Sequence, residues 1–245
     1  CVQQSLGAQL LQVQWQGSDL PLFYLSPITL GDAPRRGGVP ILFPQFADRG
    51  ALPKHGFARN LSWHCLEQTS AADQSRQSAH YHLDISCALL PEWPYEVSLN
   101  VYVDCQPNQL QMRLQICNTG TQAFDWTGGL HPYFYVDDVL QTQIMGLHHV
   151  PCEDRYAQNQ QVLTHGQECL HFDGEPIERL YQLAPTLELA QSRRRLERIE
   201  MSCTGFSQWM IWNPGQAGEV HFADLPPGED RKSTRLNSSH TDISR

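Results

Sequence analysis

The stretches Glu96-Val-Ser-Leu-Asn-Val-Tyr-Val-Asp104 and Leu110-Gln-Met-Arg-Leu-Gln-Ile116 decide the fold class of this chain. In both, apolar and polar residues alternate, which places the apolar side chains on one face of an extended strand. The residues Gln106-Pro-Asn108 lie between the stretches and favour a turn. The pattern predicts a β-hairpin with one buried face.

Strand-like patterns recur along the rest of the chain. They lie at Gln9–Trp15, Leu22–Leu25, His80–Cys87, Phe124–Trp126, Pro132–Val136, Leu140–Met145 and Phe206–Trp212. Leu183–Leu196 is the best helix candidate, although Pro185 interrupts it. Many short strands separated by turn residues predict an all-β protein built as a large antiparallel β-sandwich. We find no internal repeat or linker, so a chain of 245 residues is expected to form one domain.

Composition narrows the classes of partner and compartment. A formal net charge of −9 argues against a nucleic-acid partner and against an anionic membrane surface. No run of 18 apolar residues and no signal peptide is present, so the default expectation is a cytoplasmic protein, although the chain opens on Cys1 and not on Met. The eight cysteines are scattered without a Cys-x-x-Cys pair, which predicts that they are mostly reduced and buried.

Two further stretches predict a binding site. Arg36-Gly-Gly-Val-Pro-Ile-Leu-Phe-Pro-Gln-Phe46 and Leu52-Pro-Lys-His-Gly-Phe-Ala-Arg-Asn-Leu-Ser-Trp63 place two arginines and a histidine on loops punctuated by Gly and Pro. A guanidinium matches phosphate or carboxylate oxygens with paired donors, and glycine lets the backbone approach a ligand closely. The pattern indicates a site for an anionic small molecule.

Together with Gly129-Leu-His-Pro-Tyr-Phe-Tyr-Val136 and Trp212-Asn-Pro-Gly215, these stretches resemble the hexose-6-phosphate mutarotases, also called glucose-6-phosphate 1-epimerases, a branch of the aldose 1-epimerase superfamily. The resemblance implies a β-sandwich of the galactose-mutarotase (supersandwich) type over residues 1–230, truncated at both ends. It also implies a monomeric isomerase that interconverts the α and β anomers of a hexose 6-phosphate. The reaction needs one acid and one base, and neither a metal nor another cofactor.

The resemblance assigns roles to individual residues. His131 matches the acid, and His55 matches a second histidine that hydrogen-bonds the sugar. Arg36 and Arg59 match the arginines that bind phosphate, and Lys54 stands where the family commonly has glutamine. Without the resemblance, His131 reads as a core histidine, His55 as a turn cap and each arginine as a solvated or salt-bridged side chain.

Glu178, in Pro176-Ile-Glu-Arg-Leu-Tyr181, falls where the family has an Asp-Arg-x-Tyr segment whose carboxylate binds sugar hydroxyls. Its alternative role is an ion pair with Arg179 or another nearby basic residue. His80 and His82 share a strand face, but no further ligands accompany them at metal-binding spacing, so no metal site is predicted. We also interpret Asp224 as structural.

The sequence does not identify a residue for the general base. In the family it is a glutamate on a strand beyond the Trp-Asn-Pro and Ala-Asp segments, and here that region offers only Glu229, Asp230 and Asp242, without an apolar strand carrying a glutamate. We therefore assign no base, and the activity of this chain is in doubt. Residues 231–245 contain no aromatic residue and resemble read-through of non-native sequence, so they are expected to be disordered or loosely attached.

Three other functions stay open at this point. A free-aldose 1-epimerase would have no need of the pair Arg36 and Arg59. A catalytically silent sugar-phosphate binder would lack the glutamate. An unrelated carbohydrate-binding module would use exposed aromatic residues and would not require His131.

Overall fold

The chain folds into antiparallel β-sheets, as the alternating pattern predicts. The computed structural model describes residues 1–15, 20–31, 33–73, 75–157, 162–164, 168–191, 198–218, 221–229 and 232–244, and for 217 and 233–244 it describes the backbone alone. Within these residues there are four sheets, of two, four, four and eight strands. The all-β prediction is confirmed.

The predicted hairpin is present and belongs to a four-stranded sheet. Strands β6 (Val97–Gln106) and β7 (Gln109–Asn118) pair continuously from Val97 opposite Asn118 to Gln106 opposite Gln109. Strands β4 (His64–Ser70) and β5 (Gln77–Ile85) complete the sheet in the order β4, β5, β6, β7. The apolar residues of β6 are buried because the period of two places all of them on the face that packs into the core.

The eight-stranded sheet carries Glu178, and His131 lies directly after one of its strands. Its order is β12, β11, β14, β17, β18, β8, β3, with β9 also pairing with β18. These strands are β3 (Ile41–Leu42), β8 (Phe124–Leu130), β9 (Tyr133–Tyr135), β11 (Pro151–Asp154), β12 (Val162–Thr164), β14 (Ile177–Tyr181), β17 (Gln208–Asn213) and β18 (Ser233–Ser244).

The predicted helix is wrong. Within Leu183–Leu196, Leu187–Gln191 is strand β15, and residues 192–197 lie outside the described part of the chain. Leu187 and Leu189 alternate with half-buried neighbours and reach the core, which a strand permits and Pro185 denies to a helix. Strand β15 lies between β10 (Thr142–Met145) and β16 (Arg198–Met201), and β13 (Cys169–His171) flanks β10.

The remaining elements are short. Strands β1 (Val2–Gln3) and β2 (Leu10–Gln12) form the two-stranded sheet, two 3-10 turns span Ala58–Asn60 and Val139–Gln141, and one helical turn, α1, spans Gly215–Gly218. The predicted strand Leu22–Leu25 is reduced to isolated bridges, in which Phe23 pairs with Phe134 and Leu25 with Gly37. No helix in the described residues is long and apolar enough to span a membrane.

One large apolar cluster joins the three larger sheets. It includes Leu99 from the hairpin sheet, Trp126 and Ile211 from the eight-stranded sheet, and Leu189 from β15. Residues on the opposite face of the eight-stranded sheet belong to separate, smaller clusters. That second face is therefore not part of the main core, and it is where the predicted site residues lie.

The structure differs from the expected disorder of the C-terminal segment. Ser233–Ser244 is strand β18, which pairs with β17 on one side and with β8 and β9 on the other. Without a strand between them, β17 on one side and β8 and β9 on the other would present unpaired backbone N–H and C=O groups. A segment that fills this gap can pair with both edges whatever its side chains are, because the hydrogen bonds are made by the backbone. The non-native origin of residues 231–245 stays a prediction.

The cysteine prediction is corrected in part. All eight cysteines are free, but only Cys105 and Cys152 are buried. Cys169 and Cys203 are half-buried, and the other four are exposed, at positions 1, 65, 87 and 117. Burial raises the pKa of the Cys105 and Cys152 thiols, which keeps them protonated and unreactive at neutral pH.

Candidate active site

The candidate site lies on the second face of the eight-stranded sheet. Glu178 pairs with Trp212 between β14 and β17, Trp212 pairs with Arg235 of β18, and Arg235 pairs with Tyr133 of β9. Residues in one such row share a face, and three strand spacings separate its ends by roughly 14 Å. The sheet therefore places Glu178 and the segment that carries His131 on the same face, at opposite sides of one surface.

His131 lies directly after β8 and is almost completely buried, at 5% exposure. Its backbone N–H donates to the Pro40 carbonyl at 3.0 Å, which ties it to the loop that begins at Arg36. Its ring stacks on Tyr133, with centroids 4.8 Å apart and an angle of 27° between the planes. The two residues are two positions apart in the sequence, so the period of two of an extended chain brings their side chains to one face.

His55 meets His131 from a different loop. Their ring centroids lie 5.5 Å apart and the planes are perpendicular, at 89°. The Nδ1 atom of His55 accepts a hydrogen bond from the Ala47 N–H at 3.1 Å, and the His55 N–H donates to the Ala47 carbonyl at 2.8 Å. An accepting Nδ1 places the proton of the neutral ring on Nε2. The loop therefore fixes both the position of His55 and its tautomer.

Backbone geometry explains why glycine follows His55. His55 itself has a φ of 69°, and Gly56 has a φ of 68°. A Cβ atom on Gly56 would stand 2.2 Å from the Phe43 carbonyl oxygen, so only glycine allows the loop to pack this closely on the strand before it. The ring of Phe46 packs edge-on against His55, with centroids 5.9 Å apart. His55 thus rests on the stretch that the sequence singled out.

Arg59 lies on the 3-10 turn Ala58–Asn60 and points toward the same region. Burial lowers the pKa of Arg59; Tyr133 and Asp224 act against that shift, and Arg36 adds to it. Arginine nevertheless stays protonated at neutral pH. One Nη atom donates to the Lys54 carbonyl at 3.1 Å, and the buried Nε has no hydrogen-bond partner among the described residues. Arg59 is a desolvated cation with unused donor capacity.

Arg36 approaches from the other loop. Its Nη2 atom lies 2.7 Å from Asp224 Oδ1, and its guanidinium carbon lies 4.6 Å from the centre of the Phe222 ring. The Nε of Arg36 is buried and also has no partner within the described part of the chain. The two arginines are close enough to repel one another, and one carboxylate, Asp224, accompanies them. The local charge is positive although the chain as a whole is negative.

Lys54 and Glu178 complete the predicted residues. Lys54 is exposed, and its carbonyl supports Arg59. Both carboxylate oxygens of Glu178 accept from Arg155 Nη1, at 3.0 and 3.2 Å. The ion pair considered for Glu178 therefore exists, but with Arg155 and not with Arg179, which pairs with Asp154 at 2.7 Å. Sequence analysis missed Arg155 because it lies on the neighbouring strand connection, 23 residues earlier.

Tyr133 and Trp212 lie on the site face and not in the main core. Tyr133 supports His131, and Trp212 contacts the edge of Phe222, with centroids 5.7 Å apart. Phe134, the neighbour of Tyr133, does belong to the main core. The signal was present in the sequence, since residues 131 and 133 share a face of an extended segment and residue 134 does not.

The candidates for a base are placed as follows. Glu229 lies 2.5 Å from Lys232 Nζ and beside Tyr24, whose pKa is raised to about 12 chiefly by burial. Asp230 lies outside the described residues, and Asp242 pairs with Trp126 through the backbone of β18. None of these observations assigns a base. The described residues also contain no cluster of three or more His, Cys, Asp or Glu side chains able to hold a metal ion.

Comparison with known proteins adds the family. Residues 3–235 match the family model described as Aldose 1-epimerase. The chain is 27% identical over 227 residues to a Salmonella typhimurium protein named "Putative glucose-6-phosphate 1-epimerase", covering 90% of this chain and 72% of that protein. A protein of the same name from Cenchrus ciliaris is 25% identical over 202 residues, covering 79% and 60%. The chain thus spans only 60% of the length of the latter relative.

Solved structures agree on the fold. The "putative mutarotase" of Salmonella typhimurium superposes with a TM-score of 0.84 at 23% identity, covering 98% of this chain and 80% of that one. A galactose mutarotase-like protein from Lactobacillus casei gives a TM-score of 0.72 at 15% identity, covering 98% and 83%. At these identities the likeness shows the fold alone, and it confirms the predicted galactose-mutarotase type of sandwich.

Proposed function

Because this chain belongs to the aldose 1-epimerase family, we propose that the protein from which it derives interconverts the α and β anomers of a hexose 6-phosphate. The single observation that carries the proposal is the meeting of two cationic arginines, Arg36 and Arg59, with the histidine pair His55 and His131 on one face of one sheet. The names of the two curated relatives support the same substrate class.

The phosphate end of the site rests on charge and donor capacity. Two guanidiniums and one carboxylate leave a net positive charge, which attracts a phosphate dianion. Burial strengthens this attraction because the surrounding dielectric is lower than that of water. A free sugar would gain nothing from either arginine. The proposal therefore favours a phosphosugar over an unmodified aldose.

The chemistry needs two proton transfers at the hexose. A base removes the proton of the C1 hydroxyl while an acid protonates the ring oxygen, the C1–O5 bond breaks, and the open-chain aldehyde rotates about C1–C2 before the steps reverse. We assign the acid to His131, because histidine is the side chain whose ordinary pKa lies nearest to neutral pH. His55, with the proton of its neutral ring on Nε2, donates a hydrogen bond to a sugar oxygen.

Glu178 binds hydroxyl groups at the far side of the face. The pairing with Arg155 orients its carboxylate, as a good acceptor for sugar hydroxyls requires. Its side chain is only 18% exposed, whereas Arg155 is 54% exposed, so the arginine shields the carboxylate from the solvent side. The base has no assigned residue, and a non-catalytic phosphosugar binder is the second candidate on that account.

Anomeric exchange measured by magnetisation-transfer NMR tests the proposal. The folded chain is mixed with glucose 6-phosphate and, separately, with glucose, and exchange between the anomeric proton signals is compared with the protein-free rate. Faster exchange of the phosphosugar alone supports the proposed enzyme. Binding of the phosphosugar without faster exchange supports the non-catalytic binder. Equal acceleration of exchange for glucose 6-phosphate and glucose contradicts the phosphate site.

A further inference from the structure

The proposed function does not explain the contacts that hold the Arg36 side chain in place. The guanidinium is held on two sides, by the Asp224 carboxylate at 2.7 Å and by the face of Phe222 at 4.6 Å. Phe222 in turn packs edge-on against Trp212 of β17. Side-chain exposure is 12% for Arg36 and 25% for Asp224, so the pair is largely withdrawn from water. A pair with this geometry restricts a long and otherwise mobile side chain.

Ser26 fixes the two backbones that carry this pair. It is fully buried, at 0% exposure. Its N–H donates to the Arg36 carbonyl at 2.9 Å, and its hydroxyl donates to the Asp224 carbonyl at 2.7 Å. The same hydroxyl accepts from the Ile28 N–H at 3.1 Å. Arg36 and Asp224, 188 positions apart in the sequence, are thereby joined through one serine whose polar groups are satisfied.

Arg35, the neighbouring arginine, has a different kind of partner. One Nη atom of Arg35 donates to the Ser26 carbonyl at 2.6 Å, so its guanidinium is used to close the turn. Arg36 instead uses one nitrogen on a side-chain carboxylate, that of Asp224, while the Nε atoms of both arginines are buried and have no partner among the described residues. The short aspartate side chain thus occupies one edge of the guanidinium and leaves other donors for a second acceptor.

We propose that Asp224 is a positioning residue, which holds the Arg36 guanidinium in the orientation that receives the phosphate of the substrate. The role rests on the proposed function, because it gives Arg36 a phosphate ligand. The rival reading treats Asp224 as a competing anion that merely repels the phosphate. The two differ in sign, since loss of a positioning carboxylate weakens phosphosugar binding and loss of a competing one tightens it.

Two variants and one matched control test the role. Asp224→Asn removes the charge and keeps the shape, and Arg36→Ala removes the group on which Asp224 acts. Asp104→Asn is the control, because Asp104 forms a pair of similar length with Arg76, at 2.8 Å, on the hairpin sheet. Thermal unfolding is used to verify that each variant is folded.

The first readout is independent of any ligand. Relaxation of the Arg36 Nε–H signal, measured by 15N NMR, is expected to show an ordered side chain in the unmodified chain and in Asp104→Asn, and a mobile one in Asp224→Asn. An Arg36 side chain that stays equally ordered without the Asp224 carboxylate overturns the positioning role, whatever the substrate is.

The second readout is the dissociation constant for glucose 6-phosphate, with glucose for comparison, measured by calorimetry. We expect Asp224→Asn to weaken phosphosugar binding about tenfold. In the Arg36→Ala background the same substitution should raise the dissociation constant less than about twofold, because Asp224 acts through that arginine. Tighter binding by Asp224→Asn in both backgrounds overturns the role in favour of repulsion. If the unmodified chain binds the phosphosugar no better than glucose, the proposed function fails, and the role of Asp224 in phosphate binding fails with it.

Discussion

Replacing Arg59 with methionine separates binding from folding, because it should weaken phosphosugar binding strongly and change stability little. Methionine keeps much of the length and apolar volume of the side chain and removes its charge. Burial and repulsion by Arg36 disfavour the charged guanidinium in the folded state, and the change removes the hydrogen bond to the Lys54 carbonyl at 3.1 Å. We therefore expect the free energy of unfolding to stay within about 1 kcal/mol of its original value.

Binding of the phosphosugar should suffer far more. A guanidinium that donates two charge-assisted hydrogen bonds to phosphate contributes about 3 kcal/mol, which corresponds to about 100-fold in the dissociation constant. Binding of glucose should change less than about twofold, because glucose has no charged group for Arg59 to contact. The assay is calorimetric titration with both sugars, and urea denaturation supplies the stability.

Arg113→Met is the matched control for Arg59→Met. Arg113 stacks on Tyr102, 4.0 Å from the ring centre, on the hairpin sheet, and its loss changes the net charge equally. It should leave both affinities unaltered. If Arg59→Met weakens phosphosugar binding less than about threefold, Arg59 is not an anion ligand, and if it lowers stability by more than about 2 kcal/mol, Arg59 is chiefly a structural residue.

Other expected outcomes concern the backbone, the pH dependence and the unassigned base. Gly38→Ala should cost about 3 kcal/mol in urea denaturation, because at its φ of 58° a Cβ would stand 2.2 Å from the Leu10 carbonyl oxygen; an unchanged midpoint would contradict this geometry. Burial raises the pKa of Tyr181 to about 12. The stabilisation that comes from the preference of the folded state for protonated Tyr181 is therefore complete below pH about 10 and is lost as the pH rises toward about 12. Tyr181→Phe should reduce the alkaline slope of the unfolding free energy by up to about 1.4 kcal/mol per pH unit, and an identical slope would refute that linkage. Asn237→Glu, at the register position opposite Met210, should accelerate anomeric exchange of glucose 6-phosphate in the NMR assay, whereas Asn237→Gln should not. His131→Gln in the Asn237→Glu background should then slow exchange about 100-fold with phosphosugar affinity retained, and exchange that persists would remove His131 as the acid.

The parts of the fold that the sequence predicts are those governed by local patterning. Strands β6 and β7 follow from strict alternation, and the turn between them follows from Gln106-Pro-Asn108. The segment around Leu187 misleads because Leu183, Leu187 and Ala190 are spaced by four and three positions, as in a helical stripe, whereas Leu187 and Leu189 are spaced by two, as in a strand. Only its pairing with β10 and β16 decides between them.

In the candidate site, too, some relations between residues follow from local patterning and others do not. The relation between His131 and Tyr133 is local and follows from the period of two. The partners of the charged residues are not local, since Asp224 reaches Arg36, and Arg155 reaches Glu178, only through the order of strands in the sheet. Ion pairs between distant segments leave no periodic signal in a sequence, so the choice of Arg155 over Arg179 needed the structure.

The backbone of strand β18 links the two sides of the site. Its residue 235 pairs with Trp212 on one side and with Tyr133 on the other, so the presence of β18 between them sets the spacing between Glu178 and the segment of His131. A shift of one residue would move every residue of β18 to the opposite face without changing that spacing. The residues proposed to bind phosphate and sugar all lie outside β18. Substrate binding is therefore expected to tolerate almost any sequence that pairs in this register, whereas catalysis depends on which residue the register places on the site face.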